Sequence, residues 1–120
     1  MQKILIVDDN ALFRKTVRSS LQFQFPSLSI FEVNDGEEAL KAVPVFLPDL
    51  ILMDIHLPNR NGLELTGLIK GQYPGIRVIL LSSYDLPEYQ EAAFTYKADH
   101  CVSKDSFMTL LNLILSEDAD

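Results

Sequence analysis

Five short apolar runs alternate along the chain with longer stretches in which apolar residues recur at helical spacing. The runs cover residues 4–7, 29–33, 50–53, 77–81 and 101–103. Near-continuous apolar runs are typical of strands buried on both faces, and strands separated by helices pair in parallel because a parallel connection needs a crossover. The alternation therefore predicts an α/β fold in which helices cover both faces of one five-stranded parallel sheet.

The stretches between these runs predict five helices. The first begins at Asn10 as its N-cap and buries a stripe of Phe13, Val17 and Leu21. Asp35 and the glutamate three residues later have capping-box spacing at the start of the second helix, and the third helix spans residues 61–72. The residues predicted to face inward from the last three helices are Leu65, Leu68 and Ile69, then Tyr89, Ala92, Ala93 and Tyr96, and finally Phe107, Leu111, Ile114 and Leu115.

Length and charge limit the classes of protein that fit this pattern. A chain of 120 residues with 48% hydrophobic content is long enough for one buried core, so we expect a single domain over residues 1–120. No apolar run approaches the roughly 20 residues that cross a bilayer, and the start of the chain lacks the layout of a secretory signal. The single cysteine, Cys101, suits a reducing compartment, so we expect a cytoplasmic protein. The net charge of −7 predicts that the domain itself binds neither nucleic acid nor membrane.

Polar residues follow four of the five predicted strands, at the edge of the sheet where function gathers in such folds. They are Asp8, Asp9, Asp54, Ser82 and Lys104. Taken alone, each acid is explained as the N-cap of the next helix. Taken together they are not, because Asp8 and Asp9 are adjacent and cannot both be caps. Asp54, moreover, lies six or seven residues before the next predicted helix.

If the first and third strands are neighbours, three carboxylates converge, and each close pair costs up to about 4 kcal/mol at an effective dielectric constant near 20. Lys104 supplies one neutralising charge. A hard divalent cation supplies the rest, and Mg²⁺ suits a site of few carboxylates plus water. A carboxylate beside Mg²⁺, a lysine and a hydroxyl is equipped to attack a phosphoryl group, which would give an aspartyl phosphate.

Four motifs carry a family resemblance: the "VDD" pair, "LILMDIHLPNRNG", "VILLSSYD" and "VSKD". In this order and spacing, they resemble the receiver domain of two-component response regulators along the whole chain. The resemblance implies a flavodoxin-like doubly wound (βα)5 fold with strand order 2-1-3-4-5.

The resemblance also assigns roles to individual residues. Asp54 would be the phosphoacceptor, and Ser82 and Lys104 would contact the incoming phosphoryl oxygens. Asp9 would bind Mg²⁺ directly, Asp8 would act largely through water, and the backbone carbonyl of His56 would be the remaining protein ligand.

The partners that the resemblance implies are a sensor histidine kinase and an output domain. The motifs "LSSYDLPEY" and "SKD" are most similar to receivers of LuxR-type transcriptional regulators, which favours a helix-turn-helix output domain outside this chain. A phosphorylation-dependent homodimer is a further expectation. The domain would not be an enzyme beyond Mg²⁺-dependent self-phosphorylation and slow autodephosphorylation.

The sequence departs from the family pattern near the last strand. Cys101 stands where most members have a Tyr or Phe switch residue, and Lys97 stands where most have Gly. Asp105 follows Lys104 in place of Pro, and a non-proline cis peptide bond costs about 2.5–4 kcal/mol. Tyr84 either shields the phosphoryl group or packs on its loop.

Three alternatives remain open at this point. A degenerate receiver would act as a phosphorylation-independent interaction module, which the residue at position 101 keeps possible. A haloacid-dehalogenase-like phosphatase uses similar groups, but its D-x-D nucleophile on the first strand is missing. A flavodoxin-like FMN carrier needs a hydroxyl- and glycine-rich phosphate loop where this chain has "DDNALFRK".

Overall fold

The structure is a computed structural model that describes residues 3–83 and 87–117. Tyr84 and the last three residues of the acidic tail lie outside the described residues. Five strands form one parallel sheet in the order β2-β1-β3-β4-β5. They are β1 (Lys3–Val7), β2 (Ser29–Val33), β3 (Leu50–Asp54), β4 (Arg77–Ser82) and β5 (His100–Ser103). The predicted parallel sheet and strand order are confirmed, and each strand boundary lies within one residue of the prediction.

Five helices connect and follow the strands: α1 (Ala11–Gln24), α2 (Gly36–Phe46), α3 (Gly62–Gln72), α4 (Pro87–Thr95) and α5 (Phe107–Glu117). The predicted caps are confirmed. The Asn10 side chain accepts a hydrogen bond from the Phe13 amide at 3.0 Å, and the Asp35 side chain accepts one from the Glu38 amide at 2.9 Å. No helix within residues 3–83 or 87–117 is long and apolar enough to span a membrane.

The sheet separates two layers of buried side chains, because alternate residues of each central strand point to opposite faces. One layer packs under α2, α3 and α4 and contains Leu5, Val7, Ile51, Met53, Val78 and Leu80. The other packs under α1 and α5 and contains Ile4, Ile6, Leu50, Leu52, Ile79 and Leu81. Central strands buried on both faces explain why their sequences are almost entirely apolar.

One predicted core residue is wrong. Leu68 of α3 is 51% exposed, whereas Thr66 is buried and donates a hydrogen bond from its hydroxyl to the Gly62 carbonyl at 2.8 Å. The orientation of α3 is fixed by Gly62, where an added Cβ would lie 2.1 Å from the Asp54 carbonyl oxygen. The helix therefore turns the Gly62, Thr66 and Ile69 side inward, and Leu68 lies about 100° around the axis from Ile69.

Candidate functional site

The carboxyl ends of β1 and β3 bring three acidic residues together. Val7 pairs with Met53 in the parallel register, so Asp8 and Asp54 leave neighbouring strands at the same edge of the sheet. One carboxylate oxygen from each of Asp8, Asp9 and Asp54 lies within 4.8 Å of the other two. Asp8 and Asp54 are 1% and 3% exposed, whereas Asp9 is exposed to solvent. The predicted convergence of the three carboxylates is thus present in the structure.

Lys104 lies against this acidic cluster. Its Nζ is 2.8 Å from Asp8 Oδ2 and 3.5 Å from Asp54 Oδ2. Its backbone amide donates a hydrogen bond to the Ser82 carbonyl at 2.9 Å, which holds the end of β5 beside the end of β4. Asp8 Oδ2 accepts no well-aligned hydrogen bond from the described residues, so its contact with Lys104 is an ion pair.

The electrostatics of Asp54 and Lys104 reflect this crowding. Burial raises the pKa of the Asp54 carboxyl, the Asp8 charge raises it further, and the His56 amide and Lys104 lower it by less. Burial of the Lys104 ammonium lowers its pKa, but the contacts with Asp8 and Asp54 outweigh burial, so its pKa is raised. The site therefore favours the cationic form of Lys104 and disfavours the charged form of Asp54.

The Asp54 carboxylate is oriented by the loop that follows β3. The His56 amide donates a hydrogen bond to Asp54 Oδ1 at 3.1 Å, and the Gly62 amide donates one to the Ile55 carbonyl at 2.9 Å. These bonds fold the loop back over the end of β3. The described residues contain no cis peptide bond, so the bond between Lys104 and Asp105 is trans.

Ser82 and His56, the latter predicted through its backbone carbonyl, complete the set of predicted site residues. Ser82 is the last residue of β4, is buried, and lies opposite Ser103 in the register with β5. The structure thus brings Ser82 to the same edge of the sheet as the acids and Lys104. The His56 ring points away towards α4, where its Nε2 lies 3.0 Å from the Tyr89 hydroxyl.

Sequence reasoning missed the contacts that three residues make around the site. The Phe13 ring lies under the Lys104 ammonium, with Nζ 4.7 Å from the ring centroid. Arg14 donates hydrogen bonds to the Asp8 carbonyl and to the Asn34 side chain, and its Nε lies 3.1 Å from Glu32 Oε1. The third residue is Tyr89, whose hydroxyl lies 3.0 Å from Nε2 of the His56 ring. No sequence signal marks these pairs, because each joins residues from different elements.

The donor set fits a hard divalent cation. All three clustered ligands are carboxylates, which Mg²⁺ and Ca²⁺ prefer over the nitrogen and sulfur ligands of zinc sites. Asp8 Oδ2 is buried and, beyond its ion pair with Lys104, accepts no well-aligned hydrogen bond from the described residues, so it has unused capacity to accept a metal-bound water. The cluster Asp8, Asp9 and Asp54 can therefore hold a metal ion.

Comparison with known proteins gives the family. A model of the response regulator receiver domain matches residues 4–115. This chain belongs to the response regulator receiver family. Receiver domains are signalling domains and not classical enzymes, and the matches do not favour the phosphatase or the FMN carrier.

This receiver domain is similar to parts of longer regulators. It is 38% identical over 87 residues to the transcriptional regulatory protein DegU of Brevibacillus brevis, a stretch covering 72% of this chain and 37% of that protein. The chain thus spans less than half the length of the curated relatives it matches. These relatives are transcriptional regulatory or response regulatory proteins.

Solved structures share the fold over nearly the whole chain. The response regulator TrrA of Thermotoga maritima, solved in complex with Mg²⁺-BeF, is 32% identical, with a TM-score of 0.83 over 97% of this chain and 98% of that one. The receiver domain of the putative response regulator NarL from Mycobacterium tuberculosis is 28% identical, with a TM-score of 0.85 over 96% and 94% of the two chains. The predicted fold class is confirmed.

Proposed function

We propose that this receiver domain is a phosphorylation-activated switch in which Asp54 accepts a phosphoryl group. The observation that carries the proposal is the position of the Asp54 carboxylate, which is buried beside two further carboxylates and one lysine at the carboxyl edge of the sheet. An acid in such surroundings is costly for folding, and a buried carboxyl whose pKa is raised beside other charges is typical of a functional site. We propose that residues 1–120 form this one domain.

In the transfer step, an Asp54 carboxylate oxygen attacks phosphorus as the bond between phosphorus and the donor's leaving atom breaks. The His56 amide holds Oδ1 and so fixes the orientation of the carboxylate before the donor arrives. The opposite oxygen, Oδ2, lies on the side of Lys104.

Charge on the transferred group is met by fixed donors. The Lys104 ammonium has three N–H donors and would turn some of them towards the phosphoryl oxygens, with the Ser82 hydroxyl as a second donor. Asp9, Asp54 and the His56 backbone carbonyl would hold Mg²⁺, with Asp8 acting through water, and the ion would supply positive charge that offsets the acids and the phosphoryl oxygens. Self-phosphorylation by small donors and slow autodephosphorylation follow from the same groups.

The partners follow from the family and the charge. We propose a sensor histidine kinase as the phosphoryl donor and a helix-turn-helix output domain outside this chain, because the relatives are transcriptional regulatory proteins of greater length. The net charge of −7 makes direct contact of this domain with nucleic acid or an anionic membrane unfavourable. A cytoplasmic location and a homodimer that forms on phosphorylation complete the proposal.

A phosphorylation-independent interaction module is the second candidate, and Cys101 is the observation in its favour. The thiol is buried under α4 where the family has an aromatic ring, and the Cys101 carbonyl accepts a hydrogen bond from the Gln90 side chain at 2.8 Å. Such a module would keep the fold and take up no phosphoryl group.

The experiment that separates the two is intact mass spectrometry after incubation with acetyl phosphate and Mg²⁺. We expect one phosphoryl adduct on the wild-type protein, none after EDTA treatment, and none on Asp54→Asn. Asp105→Asn is the matched control, because Asp105 is an exposed acid next to Lys104 and its loss should leave the adduct in place. A wild-type protein that never gains the adduct would favour the interaction module.

A further inference from the structure

The aromatic ring of Phe13 has a contact that core packing does not require. Its ring lies 4.7 Å from the Lys104 ammonium, which is also 2.8 Å from Asp8 Oδ2. Phe13 is half-buried against the layer under α1 and α5, and its ring meets the one cation among the predicted site residues. A cation over a ring face is attracted by the ring quadrupole.

We propose that Phe13 is a positioning residue for Lys104, holding the ammonium over its ring face so that the N–H donors point towards Asp54 and its phosphoryl group. The proposal rests on the proposed function for the reaction that it assists. The placement of Lys104 by the ring is a property of the unmodified protein and is measurable separately.

The Phe13 ring is held in place from both sides. Its backbone amide donates to the Asn10 side chain at 3.0 Å, and the Asn10 amide in turn donates to Asp8 Oδ1 at 2.9 Å. On the other side the ring packs against Phe107 of α5, with centroids 5.8 Å apart. Phe13 is therefore tied to Asp8 through the helix cap and to the core through Phe107.

A ring differs from a carboxylate in how it holds an ammonium. Asp8 Oδ2 attracts Lys104 as a charge, but it also competes with the phosphoryl oxygens for the same N–H donors. The Phe13 face attracts the cation over a broad area and accepts no strong hydrogen bond. The ring thus restrains the long lysine side chain, which has several rotamers to lose, while leaving its donors available.

The test replaces Phe13 with phenylalanines carrying one, two and three ring fluorines, which keep the shape of the ring and weaken its attraction for a cation step by step. The rate of phosphorylation by acetyl phosphate with Mg²⁺ should fall with each fluorine, by about threefold to tenfold over the series, the range of a partly desolvated cation–π contact. The same fluorinated series at Phe107 is the matched control, because that ring is buried on α5 and packs beside Phe13 on the same face of the sheet. Its rates should stay level.

A second measurement needs no phosphorylation. In the NMR spectrum of the unmodified protein, the Lys104 ε-methylene protons should show an upfield ring-current shift that Phe13→Leu removes while the fold persists. A flat rate series at Phe13, or Lys104 shifts unchanged by Phe13→Leu, would overturn the positioning role. If the wild-type protein gains no phosphoryl group, the proposed function fails, and the ring-current shift alone then decides whether Phe13 holds Lys104.

Discussion

Removing the charge of Asp54 should stabilise the metal-free domain. Asp54 is 3% exposed, its carboxylate lies within 4.8 Å of those of Asp8 and Asp9, and burial together with the Asp8 charge raises its pKa. Asp54→Asn keeps the side-chain shape and still offers an oxygen to the His56 amide. The substitution therefore removes a negative charge that lowers the free energy of unfolding of the metal-free protein.

The size of the effect follows from the distances. Two like charges at this separation repel by about 3.5 kcal/mol at an effective dielectric constant near 20, so the repulsion from Asp8 and Asp9 together is about 7 kcal/mol. The lost attraction to Lys104, whose Nζ is 3.5 Å from Asp54 Oδ2, is about 5 kcal/mol at the same dielectric constant and offsets much of this gain. Lys104 keeps its closer contact with Asp8 at 2.8 Å. We expect a net stabilisation of about 1–2 kcal/mol, or a rise in Tm of about 3–10 °C for a domain of this size.

The pH dependence of stability gives a second test of whether Asp54→Asn stabilises the domain. Because the pKa of Asp54 is raised from its ordinary value of 3.8, the folded protein keeps this proton over a pH range above 3.8 in which the unfolded chain has lost it. The cost of the charge is therefore absent at low pH and complete once the pH exceeds the folded pKa. The advantage of Asp54→Asn should therefore grow as the pH rises from about 4 to about 8.

The assay is thermal unfolding in EDTA, followed by circular dichroism across this pH range, with Glu91→Gln as the control. Glu91 is an exposed acid on α4, so its loss changes the net charge equally and should move Tm little. An Asp54→Asn protein that melts lower than wild type at neutral pH, or whose advantage shrinks as the pH rises, would refute the reasoning.

Three further predictions concern the metal and the α4 face. Asp9→Ala should lose most of the Tm increase that Mg²⁺ gives the wild-type protein. Without metal, the variant should melt no lower than the metal-free wild-type protein, because the exposed Asp9 carboxylate repels its acidic neighbours. A large drop in its Tm in EDTA would instead mean that Asp9 is structural. Tyr89→Phe keeps the ring but removes the hydroxyl that is hydrogen-bonded to the His56 ring at 3.0 Å. Amide hydrogen exchange in α4 should therefore quicken, while the free energy of unfolding falls by only about 0.5–1.5 kcal/mol. Unchanged exchange would mean that this hydrogen bond does not hold α4 in place. Cys101→Tyr should enlarge the NMR shift changes that beryllofluoride, a phosphoryl mimic, causes across residues 87–104. The reason is that a small thiol has little effect on the balance between the unmodified and the phosphorylated conformation. Equally large changes in the wild-type protein would contradict this prediction.

Hydrophobic patterning was enough to predict the strands and most of the core. The five apolar runs are the five strands, because a strand buried on both faces leaves almost no position for a polar side chain. The caps at Asn10 and Asp35 were also predictable, because an N-cap side chain accepts a hydrogen bond from an amide only a few residues away in the sequence. Strand order came from the family resemblance, because periodicity does not say which strands are neighbours.

What the sequence did not reveal depends on contacts between distant residues. Leu68 fits the apolar spacing of α3, but the close approach of Gly62 to the Asp54 carbonyl turns the helix so that Leu68 faces outward. Phe13 is predicted as a core residue of α1, but it is half-buried, and its contact with Lys104 exists only once the fold brings the residue after β5 beside α1. The three acidic residues of the site were identifiable because the carboxyl ends of parallel strands meet at one edge of the sheet. The side chains that contact the site from the helices were not identifiable, because their positions depend on tertiary packing.

The phosphoacceptor role of Asp54 has one direct test. After incubation with acetyl phosphate and Mg²⁺, borohydride reduces an aspartyl phosphate to homoserine, and peptide mass spectrometry then locates the converted residue. We expect homoserine at position 54 alone, dependent on Mg²⁺ and absent from unphosphorylated protein. Homoserine at position 8 or 9, or a phosphoryl adduct with Asp54 unconverted, would contradict it.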